Sequence, residues 1–201
     1  MIISLCSFKG GVAKTTTAIH LAFYLSQKKG KPKTLLIDGD PNKSATKWGN
    51  RGQFPFKVCD YSGAAKHSQG SDHIVIDTQA RPTLEEISTI AEGCDILVLP
   101  TSPNAMAMEA IYQTAAALET LDNCRVLLTL CDVRKKRTIA DARSNITEKG
   151  LTLFKTQIRT YTAYEKAALQ GVPVYDSGDP NAKIAWSDYK KLGKEIDKYH
   201  A

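Results

Sequence analysis

Ten residues, Phe8-Lys-Gly-Gly-Val-Ala-Lys-Thr-Thr-Thr17, restrict the fold of this chain more than any other part of it. They join an apolar run, Ile2 to Ser7, to a segment of helical period, Lys14 to Gln27. A strand, a glycine turn and a helix in that order place the first N–H groups of the helix, and the positive end of its dipole, at the turn. Gly10 and Gly11 let further backbone N–H groups turn toward a bound polyphosphate. Lys14, expected to face solvent, would carry charge to the β- and γ-phosphates, and the Thr15 hydroxyl would reach Mg²⁺. Lys9, Val12, Ala13 and Thr16 complete the expected nucleotide-binding loop.

The same alternation continues along the chain. Runs at Ile2 to Ser7, Thr34 to Asp38, His73 to Asp77, Ile96 to Pro100, Val126 to Leu130 and Leu153 to Ile158 read as strands. Lys14 to Gln27, Thr83 to Ala91, Ala105 to Leu121, Ile139 to Lys149, Ala163 to Gln170 and Ala182 to Tyr199 read as helices, with Gly30, Gly150 and Gly171 where helices should stop. Most of the strands are apolar without alternation, which signals a parallel sheet covered on both faces. Trp48 to Asp72, broken by Gly49, Gly52, Pro55, Gly63 and Gly70, reads as loops around an edge strand at Phe56 to Cys59. At 201 residues this predicts one domain, residues 1–201, in the α/β class: a doubly wound, mostly parallel sheet with helices on both faces, as in P-loop NTPases. No apolar run approaches the roughly 20 residues that span a bilayer. The first residues lack the basic region and cleavage site of a signal peptide. Five cysteines without a C-x-x-C pair suit reduced thiols, and a cytoplasmic location is expected.

The loop departs from the standard G-x-x-x-x-G-K-[ST] pattern, with Phe8 at its first glycine and Ala13 at its second, where an alanine would accept positive φ only at a cost. What stands there, K-G-G-x-x-K-T, is a deviant Walker A box and resembles that of the ParA/MinD family of partitioning and positioning ATPases. The resemblance implies that Lys9 reaches across a nucleotide-sandwich dimer to the phosphates held by the other subunit. Leu35 to Pro41 ends a strand in Asp38 and Asp40, at the edge where open α/β sheets bind ligands. Two carboxylates beside a phosphate loop call for a cation, naturally Mg²⁺. By resemblance Asp40 positions the attacking water and Asp38 supports the metal shell, roles the sequence alone does not separate. Asp77, closing His73 to Asp77, resembles the Walker B carboxylate that holds a Mg²⁺ water. Thr78-Gln-Ala-Arg-Pro82 resembles the family's D-x-P-A loop with Gln79 in place of proline, and is expected to sense the γ-phosphate or the dimer partner. Lys9, Lys14, Asp38 and Asp40 are thus the expected catalytic residues, Thr15, Asp38 and Asp77 the metal residues, and ATP and Mg²⁺ the cofactors. The loop Asp176 to Pro180 is a candidate contact for adenine.

Charge adds a partner. The chain carries a net charge of +6, and residues 125–170 alone hold ten basic and four acidic side chains. Such a surplus favours polyanions. Arg134, Lys135, Lys136 and Arg137, joined by Lys155 and Arg159, make a candidate DNA-binding face that Lys166, Lys183, Lys190, Lys191 and Lys194 could extend. The resemblance implies an ATP-dependent homodimer that binds DNA without sequence preference, sits on the nucleoid when ATP-bound, and is stimulated by a ParB-like or McdB-like adaptor. Its cargo would be a plasmid, a chromosome locus or a carboxysome. Two alternatives stay open: a MinD-like membrane-surface ATPase, and a metabolic ATP-dependent ligase of the same fold, against which Lys9 argues. The last helix carries a stripe of Trp186, Tyr189, Leu192, Ile196 and Tyr199, read here as core-covering rather than membrane-binding.

Overall fold

In the computed structural model, which describes residues 1–200, six strands form one sheet in which every pairing is parallel. They are β1 (Ile2–Ser7), β2 (Thr34–Asp38), β3 (Lys57–Asp60), β4 (His73–Ala80), β5 (Ile96–Thr101) and β6 (Cys124–Leu128), in the order β3-β2-β4-β1-β5-β6. The helices are α1 (Lys14–Ser26), α2 (Ser44–Gly49), α3 (Tyr61–Ser68), α4 (Leu84–Glu92), α5 (Ala105–Gln113), α6 (Ala115–Glu119), α7 (Lys136–Glu148), α8 (Ala163–Gln170) and α9 (Ala182–His200), with a 3₁₀ turn at Val174–Asp176. Successive strand residues feed opposite layers. Ile3, Leu5, Ile96 and Val98 pack with Leu21 and Leu25 of α1 and with Trp186, Leu192 and Ile196 of α9. Cys6, Leu97, Leu99 and Val126 pack with Ile87 of α4, Met108 of α5 and Ile146 of α7. In β1, β2 and β5 almost every residue is buried on either face, which is why those strand sequences run largely apolar.

Two expected elements are interrupted. The segment Ala105 to Leu121 breaks at Thr114, whose hydroxyl donates to the carbonyls of Ala110 and Ile111 and so competes with continuation of the helix. Leu153 to Ile158 is not a continuous strand. Leu153 bridges Val126 of β6 and the Ile158 N–H donates to the Leu128 carbonyl, with Arg159 bridging Cys131 just past that strand; between them residues 155–157 bulge away, the N–H groups of Lys155 and Thr156 donating to the Glu195 carboxylate of α9. The bulge still covers the open edge of β6. α3 lies within the stretch read as loops, and α2 runs into its first two residues.

α9 lies on α1. Its stripe residues Trp186, Tyr189, Leu192 and Ile196 are buried, and Tyr199 is half-exposed beneath the Arg125 guanidinium, 4.0 Å from the ring centre. Among the described residues no helix is long and apolar enough to cross a membrane. Where α9 and α1 meet, His20 is fully buried and stacked on Tyr189 at 4.6 Å. The Val174 N–H donates to its Nε2, so the proton rests on Nδ1, which donates to the Thr16 carbonyl. Burial pushes this imidazole from 6.5 down to about 4. A base with a lowered folded pKa gives stability that is complete above pH 6.5 and is lost as pH falls toward 4. The loss is roughly 3 kcal/mol. Unfolding free energies from urea titrations at pH 7.5 and 4.5 should therefore differ by about that amount more in the native chain than in His20→Gln; equal differences would remove His20 as the source.

Candidate functional site

The chain leaves β1 for one face of the sheet through α1 and leaves β4 for the other through α4, although β1 and β4 are neighbours. A crevice therefore opens at the carboxyl ends of these two strands. Strand register brings Asp38 beside Asp77, and a bulge in β4 just after Asp77 turns the chain across the crevice. The loop 8–13 lies above it. Gly11 has φ +77° and Ala13 φ +58°, so the alanine does take the left-handed conformation that the sequence called into question. Val12 is buried, Thr15 and Thr16 are half-buried, and Gly10 and Gly11 have open space above their Cα atoms, room for a ligand to approach the backbone.

Lys14 does not face solvent. It is 6% exposed, its ammonium 2.5 Å from Asp77 Oδ1 and also donating to the Thr78 carbonyl, with Asp40 Oδ2 at 3.9 Å. The reason is electrostatic: Asp77 is wholly buried, burial pushes its carboxyl pKa up, and the Lys14 charge is the strongest opposing influence. The other Asp77 oxygen, Oδ2, is buried without a partner. Such an orphan acceptor, with the Thr15 hydroxyl nearby to oppose the same shift, is a hard-oxygen set that suits Mg²⁺. Among the described residues no three His, Cys, Asp or Glu are gathered to cage a metal, so a cation here would draw most of its shell from water and phosphate.

The two acids after β2 differ in a way the sequence did not reveal. Asp38 is buried, and its Oδ2 accepts from the N–H and the hydroxyl of Thr46 in α2, at 2.7 and 2.8 Å, while Oδ1 accepts from the Asp40 N–H. Asp40 accepts from the Asn42 N–H with one oxygen and turns the other toward Lys14. Asp38 thus holds its own loop to α2, and Asp40 keeps an oxygen available at the crevice. Lys9 is half-buried and makes no ion pair among the described residues.

A cleft of 350 Å³ continues from the phosphate loop, with Gly11, Ala13 and Thr16 on one side and Trp48, Leu130, Ile158, Tyr161 and Tyr164 as apolar walls. Aromatic walls beside a polyphosphate site suit the π-face of a base. Residues 176–180 do not line it, and the candidate adenine contact shifts to residues 158–164. Arg159 stands in this cleft, which corrects its expected place on an exposed basic face. Its guanidinium is forked onto the buried Asp188 of α9, at 2.7 and 2.9 Å. No local signal announces a pair 29 residues apart; the aromatic spacing Tyr161, Tyr164 was the available clue to the cleft. The Thr129 hydroxyl, bonded to the Val12 carbonyl at 2.9 Å, ties the end of β6 to the phosphate loop.

The other basic residues are on the surface, unequally free. Arg134 is forked onto Asp132, whose carboxyl it holds down at about 2, and Arg137 stands 4.0 Å from Asp141. Lys135, Lys136 and Lys155 are exposed. On α9 every carboxylate turns inward: Asp188 to Arg159, Glu195 to the bulge, Asp197 to Tyr24 and Lys28. Lys183, Lys190, Lys191, Lys194 and Lys198 are left exposed without an ion pair among the described residues. Helical spacing gathers them on one side of the helix.

Residues 3–174 match the family model of the CobQ/CobB/MinD/ParA nucleotide binding domain. The chain is 32% identical over 206 residues to the maintenance of carboxysome distribution protein A of Gloeobacter kilaueensis, covering 98% of this chain and 94% of that protein. Among solved structures, McdA of Cyanothece in complex with ATP superposes with a TM-score of 0.74 at 18% identity, covering 98% of this chain and 96% of that one. The septum site-determining protein MinD of Pyrococcus horikoshii, complexed with Mg-ADP, gives 0.71 at 17% identity, covering 100% and 97%.

Proposed function

Since the chain belongs to the CobQ/CobB/MinD/ParA nucleotide-binding family, we propose that it is a Mg²⁺-dependent ATPase that dimerises around ATP, binds DNA without sequence preference, and positions a carboxysome-type cargo through an adaptor protein. The observation that carries this reading is the constellation of Lys14, Asp40 and Asp77 at one crevice beneath a K-G-G-x-x-K-T loop. Likeness to the Gloeobacter protein across almost the whole chain supports the choice of cargo.

In this mechanism the α1 N-terminus and the loop N–H groups bind the phosphates, and Lys14 leaves Asp77 for the β- and γ-phosphates. Mg²⁺, held through Asp77 and Thr15, offsets phosphate charge when bound. Asp40 orients the attacking water with its free oxygen, while Asp38 keeps the Asp40 loop in place through Thr46. The half-buried Lys9, without an ion pair among the described residues, is available to a nucleotide held by a second copy. On the membrane-surface reading α9 would have to offer its apolar stripe, of which Trp186, Tyr189, Leu192 and Ile196 are already in the core. Its outer lysines favour a polyanion instead, and phosphate contacts suffice for that. Sedimentation tests the dimer: ATP should shift the native chain to a dimer and leave Lys9→Ala monomeric although it still binds ATP. A native chain that stays monomeric in ATP would sink the sandwich.

A further inference from the structure

Gly39 stands between the two acids of the crevice, Asp38 and Asp40, yet its φ is not the positive kind that calls for glycine. Space explains it instead. A methyl group on Gly39 would lie 2.5 Å from Cε2, Cζ and the hydroxyl oxygen of Tyr61, closer than side chains pack. The Tyr61 ring therefore lies directly on the loop that carries Asp40.

Strand register sets up this contact. β2 and β3 pair Asp38 with Asp60, so Tyr61, the first residue of α3, leaves the sheet beside the acids. Asp60 caps α3 by accepting from the Gly63 N–H at 3.2 Å, and it also pairs with Lys43 at 3.1 Å. The start of α3 and the far end of the Asp40 loop are thereby tied together. On the same loop the Gly39 N–H donates to the Asp77 carbonyl at 2.7 Å. Partial burial, with Cys6 and Asp77 nearby, pushes the Tyr61 hydroxyl pKa up, and no hydrogen bond is among the causes. Packing, not a hydrogen bond, is what the side chain offers the loop. Gly39 and Tyr61 also wall a cleft of 450 Å³ shared with Thr78, Gln79 and Glu86. Without the ring, the Asp40 loop would border open space into which it could relax.

We propose that Tyr61 is a positioning residue for hydrolysis: its ring, pressed on Gly39, holds the loop that aims the Asp40 carboxylate at the attacking water. This rests on the ATPase reading above. The role requires no contact with nucleotide and no proton from the hydroxyl. Because Lys14 and the loop N–H groups hold the phosphates, loss of the ring should appear in turnover rather than in binding.

ATP affinity and turnover at saturating ATP, measured on Tyr61→Ala, Tyr61→Phe and Gly39→Ala, test this. Tyr61→Ala should turn over about tenfold or more slowly with ATP affinity within about twofold of native, as expected for a misplaced catalytic group. Tyr61→Phe keeps the ring and should recover most of the rate. Gly39→Ala should lose as much as Tyr61→Ala, since its methyl displaces a ring that is 57% exposed and free to swing outward. The double variant Gly39→Ala with Tyr61→Ala should be no slower than either single one, because the contact is already gone. Native turnover in Tyr61→Ala, or losses that multiply in the double variant, would overturn the proposal. So would a Tyr61→Phe as slow as Tyr61→Ala, or a loss of ATP affinity as large as the loss of turnover. A native chain that binds no ATP would overturn the ATPase reading and this proposal with it, an outcome distinct from failure of Tyr61 alone.

Discussion

Lys14→Ala is expected to abolish ATP binding and to weaken the fold as well. Charged hydrogen bonds are each worth about 1.5 to 3 kcal/mol, so two lost phosphate contacts should lower ATP affinity by roughly 100-fold or more. The stability effect comes from Asp77. With Lys14 gone, a wholly buried carboxyl loses its cation, an error that typically costs about 3 to 5 kcal/mol unless the acid takes up a proton. The double variant Lys14→Ala with Asp77→Asn should recover much of that stability without recovering ATP binding. Calorimetric titration beside urea unfolding reads both effects. Native ATP affinity in the single variant would remove Lys14 from the phosphates.

The second large effect is expected at Asp40. Asp40→Asn should leave ATP bound but slow hydrolysis by about 100- to 1000-fold, the range seen when a group positioning the reacting water is removed. Asp38→Ala should behave differently, because it breaks the bonds to Thr46 and to the Asp40 N–H. It should destabilise the chain by about 2 kcal/mol and loosen the loop that presents Asp40. Turnover and unfolding measured on both variants separate the two roles. Native turnover in Asp40→Asn would contradict the assignment to water.

Strands buried on both faces announce themselves as apolar runs, and for that reason five of the six strands predicted from such runs stand close to their expected places; the edge strand expected at Phe56 to Cys59 is β3 (Lys57–Asp60). The phosphate loop and the acids at strand ends were equally legible, because spacing along one strand fixes which edge of the sheet they reach. What sequence did not carry was the result of long-range packing. Nothing local shows that the Glu195 carboxylate pulls residues 155–157 out of line, or that α2 and α3, six and eight residues long, form in glycine-rich sequence. The burial of Lys14 depends on Asp77, 63 positions away, and the division of work between Asp38 and Asp40 depends on Thr46. Arg159 was misread for the same reason: its partner lies on another helix, and an arginine forked onto a buried acid is not a free surface charge.

On the proposed function, nucleotide state switches a basic surface on and off. Two weak faces joined in one dimer gain affinity that a monomer lacks. Fluorescence anisotropy of random-sequence duplex DNA, titrated with the chain in ATP, in ADP and without nucleotide, tests this directly. The expected result is tight binding in ATP alone, with log affinity falling linearly with log salt and with little sequence preference. Replacing Lys190, Lys191 and Lys194 by alanine should weaken it and flatten the salt slope more than replacing Arg134 and Arg137, whose charges are already met by Asp132 and Asp141. Equal DNA binding in all three nucleotide states, or none in any, would contradict the account.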